Sequence, residues 1–256
     1  MKAILALNRA PHYGALKAAL QRKPFLQQML ERVDKIIAPS LFLQEMYIRN
    51  GISASALKHL SFGLDTSHLN GHKKNPADRL RIAFIGTLTA HKGCHILVEA
   101  FRKIESDRLQ LAIYGNTEQF AEYTARIKKQ MGKDERIALK GTFPPEDLGK
   151  VFSEIDILVV PSIWYENTPL IVYSALATKT PVIATNLGGL TELIKPGVNG
   201  FLFEAGDVTG LKACMEKIVH SPDLLQRLEE QIEPVKNMET HAEEILQEYR
   251  GVGVRV

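Results

Sequence analysis

The chain has 256 residues, of which 45% are hydrophobic and 24% charged, a balance typical of globular proteins. Its formal net charge of +3 is too small to indicate a nucleic-acid partner, and no apolar run approaches the ~20 residues of a membrane-spanning helix. The start of the chain lacks a signal-peptide pattern, and its two cysteines, Cys94 and Cys214, have no metal-binding spacing. We therefore expect a cytoplasmic protein with free thiols.

Residues 1–70 predict a partial α/β segment with two helical and two strand patterns. In chain order these patterns cover residues 24–33, 34–40, 41–51 and 57–63. Two such units are too few to close a sheet well. The polar stretch at 71–80 contains Gly and Pro, and it predicts a linker between domains.

From residue 81 onward, short apolar strands alternate with amphipathic helices. The strand patterns cover residues 81–86, 109–115, 136–141, 157–162, 181–186 and 199–203. Continuous runs of Val, Ile and Leu are typical of a parallel sheet that is covered on both faces. Residues 81–222 therefore predict a doubly wound, Rossmann-like α/β domain, and residues 223–256 a set of closing helices.

One internal repeat links the two parts of the chain. Residues 33–42 (VDKIIAPSLF) and 155–164 (IDILVVPSIW) both contain an Asp, an apolar strand and then Pro-Ser. The match is either accidental or the mark of two similar α/β units.

Ligands of a doubly wound sheet bind just beyond the carboxyl ends of its strands. After the first strand of the domain come Gly86 and Thr87, and Lys92 stands at the start of the next helix. A glycine permits close approach of a ligand, and a lysine beside a helix N-terminus suits a phosphate. A turn glycine and a solvated lysine would give the same pattern, so both interpretations stay open.

A second candidate site follows the fourth strand, where Glu166 precedes Asn167, Thr168 and Pro169. Asn167 or Thr168 is expected to cap the next helix, with Pro169 in its first position. The free amides of that first turn would then face an anionic or hydroxyl-rich ligand. The alternative is that Glu166 only stabilises the helix N-terminus.

Several common motifs do not occur in this sequence. It has no P-loop, no G-x-G-x-x-G, no G-x-S-x-G elbow and no cluster with metal-ligand spacing, so we expect neither a metal nor another cofactor. The basic stretch at 126–133 is interpreted as a solvated helix face. The alternative is peripheral contact with anionic lipid at the inner membrane surface.

The segments and their order resemble the C-terminal domain of the group 1 (family 4) retaining glycosyltransferases, which have the two-domain GT-B fold. The matching stretches are FIGTLTAHKG, LAIYG, IALKGTF, IDILVVPSIWYENTPL, ALATKTPVIATNLGGLTELI and GVNGFLF. Residues 25–65 resemble the end of the family's N-terminal domain, and the tail resembles its closing helices, which return toward that domain. We therefore expect residues 81–222 to bind the donor, and most of the N-terminal domain to be missing from this chain.

The resemblance implies a role for each candidate residue. Lys92 matches the lysine that contacts the donor pyrophosphate. Glu166 matches the first acid of an E-x7-E signature, and this acid touches the transferred sugar. Lys92 and Glu166 are therefore the expected catalytic residues. The other expected donor-binding residues are Gly86, Thr87, Gly141, Thr142, Phe143, Asn167, Thr168, Pro169, Leu170 and Ser174. The implied reaction is metal-independent, retaining transfer of a hexose from a UDP- or GDP-linked donor to a saccharide or lipid, as in polysaccharide biosynthesis.

The sequence departs from the family pattern at three points. Ser174 stands where the second acid of the signature usually grips the ribose, Thr87 stands where an arginine is often found, and the acceptor half is missing. These departures favour an alternative, a degenerate or partner-dependent nucleotide-sugar-binding module. The ENTP and TNLGG segments argue against a third possibility, a sugar-nucleotide epimerase. An acceptor-domain partner or self-association through the truncated face is expected.

We predict that Ser174→Glu tightens the binding of UDP or GDP, because a carboxylate would supply the ribose contact that a serine supplies weakly. The expected gain is about 5-fold to 30-fold, which corresponds to about 1–2 kcal/mol. Calorimetric titration of the wild-type protein and the variant with UDP and with GDP measures this gain in affinity. Unchanged affinity for both would show that the ribose is held elsewhere.

Overall fold

A computed structural model of the protein describes residues 13–69 and 74–253. In chain order its elements are α1 (Tyr13–Leu30), β1 (Ile36–Ala38), α2 (Leu41–Arg49), β2 (Leu57–His59), β3 (Leu80–Ile85), α3 (Cys94–Arg102), β4 (Leu109–Tyr114), α4 (Ala121–Met131), β5 (Ile137–Gly141), α5 (Leu148–Ser153), β6 (Ile157–Val160), α6 (Leu170–Ala177), β7 (Val182–Thr185), α7 (Leu190–Leu193), β8 (Gly200–Phe203), α8 (Val208–Val219), α9 (Pro222–Gln231) and α10 (Met238–Gly251). Short 3₁₀ turns occur at Ala54–Ala56, Ala90–Lys92 and Pro145–Asp147.

The chain divides into two units at limits that differ from the expected ones. Of the described residues, the first unit comprises 13–60 and 244–253, and the second comprises 61–69 and 74–243. The described part of the expected linker belongs to the second unit because it is bonded there. The Asn75 amide donates to the Ser153 carbonyl oxygen at 2.9 Å, and Lys74 forms an ion pair with Glu229. Residues 70–73 lie outside the described residues.

The first unit is built on a short parallel pair of strands, in which Ile36 of β1 lies opposite Leu57 of β2. These two residues and Ile52 form a small core, with Leu30 and Tyr47 packed against it. This core is far smaller than that of the second unit, as two βα-type units would predict.

The first helix begins earlier than the sequence pattern predicted. A helix was expected over 24–33, with Pro24 at its start, whereas α1 spans Tyr13–Leu30 and contains Pro24. The residues before Pro24 are mostly strong helix formers such as Ala, Leu, Lys and Gln. They continue the helix although proline removes one backbone donor.

Several large apolar side chains of the first unit are exposed. They are Leu16, Leu20, Phe25, Leu26, Val33, Leu41 and Ile48, and Leu20 is 72% exposed. The expected acceptor-domain partner and the expected self-association through the truncated face stay predictions.

The second unit confirms the predicted Rossmann-like fold. Its six parallel strands lie in the order β5-β4-β3-β6-β7-β8. Counted within this unit, the order is 3-2-1-4-5-6, the doubly wound dinucleotide-fold order. Helices α3, α4 and α8 contribute to a hydrophobic core on one face of the sheet, and α5, α6 and α7 contribute to the core on the other. Both cysteines are buried free thiols, as predicted, and burial raises the pKa of Cys94 to about 12.

The strand order reverses between β3 and β6, which are neighbours in the sheet. Ile82 lies opposite Ile157, and Ala83 opposite Leu158. Connections from these two strands leave in opposite directions, and ligands of such sheets bind beyond the carboxyl ends at this point, a region we call the crevice. This switch point is where the predicted site residues Lys92 and Glu166 follow their strands.

No helix within the described residues is long and apolar enough to cross a membrane. The cytoplasmic location and the peripheral lipid contact stay predictions.

A buried ion pair joins the starts of β3 and β6. Arg81 and Asp156 make two side-chain contacts, Nη2 to Oδ1 at 2.7 Å and Nε to Oδ2 at 3.1 Å. The Arg81 Nη1 also donates to the Ser153 carbonyl oxygen at 3.2 Å. Because both side chains are largely buried, removing either partner leaves a charge without compensation.

We predict that Asp156→Ala lowers the free energy of unfolding by about 3–5 kcal/mol, because Arg81 would stay buried and lose its carboxylate. The control is Glu233→Ala, which breaks an exposed pair with Lys195 and should cost less than about 1 kcal/mol. Urea unfolding of both variants measures the difference. Similar small losses would show that the Arg81–Asp156 pair does not stabilise this end of the sheet.

Candidate active site

The turns after β3 and β6 touch at the switch point. Gly93 has a φ of 73°, and a Cβ on it would lie 1.8 Å from the carbonyl oxygen of Pro161. Any larger residue would push the two turns apart. The Ile163 amide adds a hydrogen bond of 2.9 Å to the carbonyl oxygen of His91. The start of α3 is therefore fixed against the residues that follow β6.

The turn after β7 closes the crevice from the other side. The Gly189 amide donates to the Glu166 carbonyl oxygen at 2.7 Å, and a Cβ on Gly189 would lie 1.8 Å from the Asn167 carbonyl oxygen. Gly188, with a φ of 60°, is also close to this loop, since a Cβ on it would lie 2.7 Å from the Glu166 carbonyl oxygen. The close contact of this glycine pair with the Glu166 loop depends on the fold and could not be predicted from the sequence.

The two residues predicted as catalytic form an ion pair across the crevice. The Lys92 Nζ lies 2.6 Å from the Glu166 Oε1, and the side chains are 31% and 12% exposed. Lys92 ends the 3₁₀ turn before Gly93, and Glu166 lies in the loop between β6 and α6. The sequence assigned a ligand contact to each residue separately, and the pairing follows from the adjacency of β3 and β6.

A third polar residue joins this pair and was missed in the sequence. Ser162 is fully buried, and its hydroxyl donates to the Glu166 Oε1 at 2.9 Å. The only available signal was its place, directly beyond the carboxyl end of a central strand. His91, by contrast, is exposed, and its ring makes an edge contact with Trp164 at 6.2 Å between centroids.

The start of α6 differs from the predicted one by a residue. Asn167 or Thr168 was expected as the cap and Pro169 as the first helical residue, but Pro169 is the N-cap and α6 begins at Leu170. The extended ψ of 108° at Pro169 keeps it outside the helix. The N-cap residue Pro169 makes no side-chain capping hydrogen bond, and the buried Thr168 Oγ1 has no hydrogen-bond partner within the described residues.

Helix α3 begins after Gly93, which has no side chain to cap it, and the His95 amide in its first turn donates to the Tyr123 hydroxyl at 3.1 Å. Two helix N-termini, those of α3 and α6, therefore start at the switch point, and neither N-cap residue, Gly93 or Pro169, makes a side-chain capping hydrogen bond. Each carries roughly half a positive charge, and together with Lys92 they favour an anion.

A cavity of about 350 Å³ lies beside the crevice, at the ends of β3, β4 and β5. Five predicted donor residues line it, namely Gly86, Thr87, Gly141, Thr142 and Phe143. Tyr114 and Asn116 also line it, and the Tyr114 ring meets Phe143 edge-to-face at 5.4 Å between centroids. Burial raises the pKa of Tyr114, so its phenol stays protonated at neutral pH. Tyr114 is the last residue of β4 and Asn116 follows it, so their place at this strand end is the signal in the sequence that could have identified them.

Ser174 lies in the second turn of α6 and is 4% exposed. Its hydroxyl donates to the Leu170 carbonyl oxygen at 3.2 Å, four residues earlier. The single proton of this hydroxyl is therefore used inside the helix. A role of Ser174 in donor binding stays a prediction.

A larger cavity, of about 600 Å³, lies at the amino ends of the strands and contains none of the predicted site residues. Ligands of doubly wound sheets bind at the carboxyl ends, so we place the site at the smaller cavity and the crevice. Within residues 13–69 and 74–253, no group of three or more His, Cys, Asp or Glu is placed to hold a metal ion. The metal-independent mechanism stays a prediction.

The sequence model of "glycosyl transferases group 1" matches residues 69–234, which include the whole crevice and the cavity. The chain belongs to this family. The resemblance noted in the sequence is thereby confirmed at the level of the family.

This chain matches known members of the family over only part of their length. An uncharacterized glycosyltransferase of Methanocaldococcus jannaschii is 34% identical over 124 residues, which are 48% of this chain and 31% of that protein. The lipopolysaccharide 1,2-N-acetylglucosaminetransferase of Salmonella typhimurium is 26% identical over 198 residues, or 69% of this chain and 50% of that enzyme. This group 1 chain thus spans half or less of the length of these two relatives.

Solved structures share the fold. HepE of Anabaena, solved with UDP and glucose, superposes with a TM-score of 0.79 at 19% identity, over 89% of this chain and 66% of that one. Sucrose-phosphate synthase of Thermosynechococcus elongatus gives a TM-score of 0.77 at 25% identity, over 91% of this chain and 61% of that one. At such low identity the likeness to HepE concerns the fold alone.

We predict that Gly93→Ala lowers the free energy of unfolding by more than about 3 kcal/mol, because its Cβ would clash with the backbone of the opposite turn. Gly197→Ala is the control, since Gly197 has a φ of 78° but no atom within 4 Å of an added Cβ. That change should lower the free energy of unfolding by only ~1–2 kcal/mol, which is the cost of holding a residue other than glycine in the left-handed backbone conformation. Urea unfolding compares the two, and equal losses would refute the importance of the close contact.

Proposed function

We propose that this chain binds a nucleotide-diphospho-sugar in the crevice and takes part in transferring its sugar, with retention, to a saccharide or lipid acceptor. The proposal rests on the Lys92–Glu166 ion pair, which lies just before the starts of α3 and α6 and beside a cavity of about 350 Å³. Such a pair suits a ligand that combines an anionic diphosphate with a hydroxyl-rich sugar. The donor is a UDP- or GDP-linked hexose.

Each part of the site has a task in this proposal. The Lys92 ammonium and the first amides of α3 and α6 stabilise the negative charge that develops on the departing diphosphate. An ammonium has three donors, so Lys92 can hold Glu166 and a phosphate oxygen at the same time. Glu166 accepts hydrogen bonds from hydroxyls of the transferred sugar. The cavity beside Phe143 holds the nucleobase.

The names of similar proteins support this donor class. HepE was solved with UDP and with UDP-glucose, and the Salmonella relative is an N-acetylglucosaminetransferase. The chain covers only part of both proteins, and the acceptor, the partner and turnover by this chain belong to the proposal alone.

Ser174 favours a second candidate function, a nucleotide-sugar-binding module without turnover. Its hydroxyl proton is given to the helix backbone, and no carboxylate stands at this position. Donor binding without product, in the presence of candidate saccharide and lipid acceptors, would select the second function. Formation of a glycoside would select the first. The anomeric configuration of the product, read by proton NMR, would then test retention.

We predict that Lys92→Ala weakens the binding of UDP or GDP by about 10-fold to 100-fold, because a charge-assisted contact to phosphate contributes ~1.5–3 kcal/mol. Binding of uridine or guanosine should change little. Thermal shift with all four compounds ranks these affinities, since ligand binding raises the unfolding temperature.

The control for this measurement is Lys195→Ala, which removes an exposed lysine that is paired with Glu233. It should leave the affinity for every nucleotide unchanged. An equal loss for nucleoside and nucleoside diphosphate in Lys92→Ala would remove Lys92 from the phosphate site. No thermal shift with any nucleotide in the wild-type protein would contradict the proposed function.

A further inference from the structure

Ser162 holds the Lys92–Glu166 pair at one atom. The Glu166 Oε1 accepts from the Lys92 Nζ at 2.6 Å and from the Ser162 hydroxyl at 2.9 Å. No hydrogen bond of the other carboxylate oxygen, Oε2, occurs within the described residues. One oxygen is thus fixed from two directions, and the other is free to accept from a ligand.

The Ser162 hydroxyl has one proton and three acceptors within reach. They are the Glu166 Oε1 at 2.9 Å, the His91 carbonyl oxygen at 3.1 Å and the Trp164 carbonyl oxygen at 3.2 Å. An ionised carboxylate is the strongest acceptor of the three, and it is also the nearest, so the proton goes to Glu166. The Trp164 amide donates to the hydroxyl oxygen at 3.3 Å and fixes its position.

The internal repeat shows that a Pro-Ser pair after a strand does not by itself produce this arrangement. Ser40 follows β1 as Ser162 follows β6, and Ser40 is similarly buried at 4% exposure. Helix α2 begins directly after Ser40, whose hydroxyl caps it by accepting from the Leu43 amide at 3.1 Å. Residues 163–169 separate Ser162 from α6, so its hydroxyl has no helix to cap and serves Glu166.

We propose that Ser162 is a positioning residue, which together with Lys92 fixes the Oε1 of Glu166 and so presents Oε2 to the transferred sugar. This inference rests on the proposed function, because it requires Glu166 to contact the donor sugar. Without the hydroxyl, the flexible lysine alone would hold the carboxylate. Binding affinity would then be lost from the contacts with the sugar, whereas the contacts with the nucleotide would be unchanged.

The test compares each nucleotide sugar with its nucleoside diphosphate: UDP-glucose and UDP-N-acetylglucosamine with UDP, and GDP-mannose with GDP. Trp164 is the single tryptophan of the chain and lies in the same loop, so its fluorescence reports binding. For the best-bound sugar, Ser162→Ala should reduce the affinity gained from the sugar by about threefold to tenfold. Affinity for the diphosphate alone should be unchanged.

Two further variants separate positioning from a structural role. In a Glu166→Gln background, Ser162→Ala should have little additional effect, because the residue it positions has lost its charge. Ser162→Thr keeps the hydroxyl and should restore the sugar contribution. Ser40→Ala is the matched control: it removes a buried serine after the equivalent strand, so it should lower stability and leave the sugar contribution unchanged.

Distinct outcomes overturn the inference and the proposed function. Equal losses for diphosphate and nucleotide sugar in Ser162→Ala, or an equal effect with and without Glu166, would overturn the positioning role. So would a wild-type chain that binds the diphosphates and gains no affinity from any of the sugars. A wild-type chain that binds none of these nucleotides would contradict the proposed function itself, and the inference would fall with it.

Discussion

The contact between Gly93 and the carbonyl oxygen of Pro161 is the constraint on which the site depends. A side chain at Gly93 would separate the turns after β3 and β6, because its Cβ would lie 1.8 Å from that oxygen. Lys92 precedes Gly93 and Ser162 follows Pro161, so the contact brings both close to Glu166. The site exists because the strand order reverses here, where the two neighbouring strands send their connections in opposite directions.

Under the proposed function, the electrostatics of this crevice suit a ligand with two kinds of group. Lys92 and Glu166 neutralise each other, and the helix N-termini of α3 and α6 add partial positive charge. In that proposal a phosphate binds at the lysine and the amides, and a sugar hydroxyl binds at the carboxylate oxygen that has no hydrogen bond among the described residues. Glu166 is largely buried, and the hydroxyl of Ser162 and the ammonium of Lys92 keep its charge compensated.

Sequence patterns located most elements of the second unit to within a few residues. The first strand was expected at 81–86 and spans Leu80–Ile85. The ends of the elements were predicted less accurately. Pro169 has an extended backbone, so α6 begins one residue later than expected, after Pro169. In the first unit, Pro24 was taken as the start of a helix that in fact begins at Tyr13, since a pattern of good helix formers outweighs one missing donor.

The sequence by itself determined the alternation of strands and helices, the Rossmann-like fold and the candidate residues beyond the strand ends. These follow from local hydrophobic periodicity, glycine positions and family resemblance, which need no knowledge of long-range contacts. Only the tertiary structure decided that Lys92, Ser162 and Glu166 meet at one carboxylate oxygen, and that Ser40 and Ser162 have different partners after the same Pro-Ser pair. Lys92 and Glu166 come from distant parts of the chain, and the distance between them is set by the order in which the strands pair.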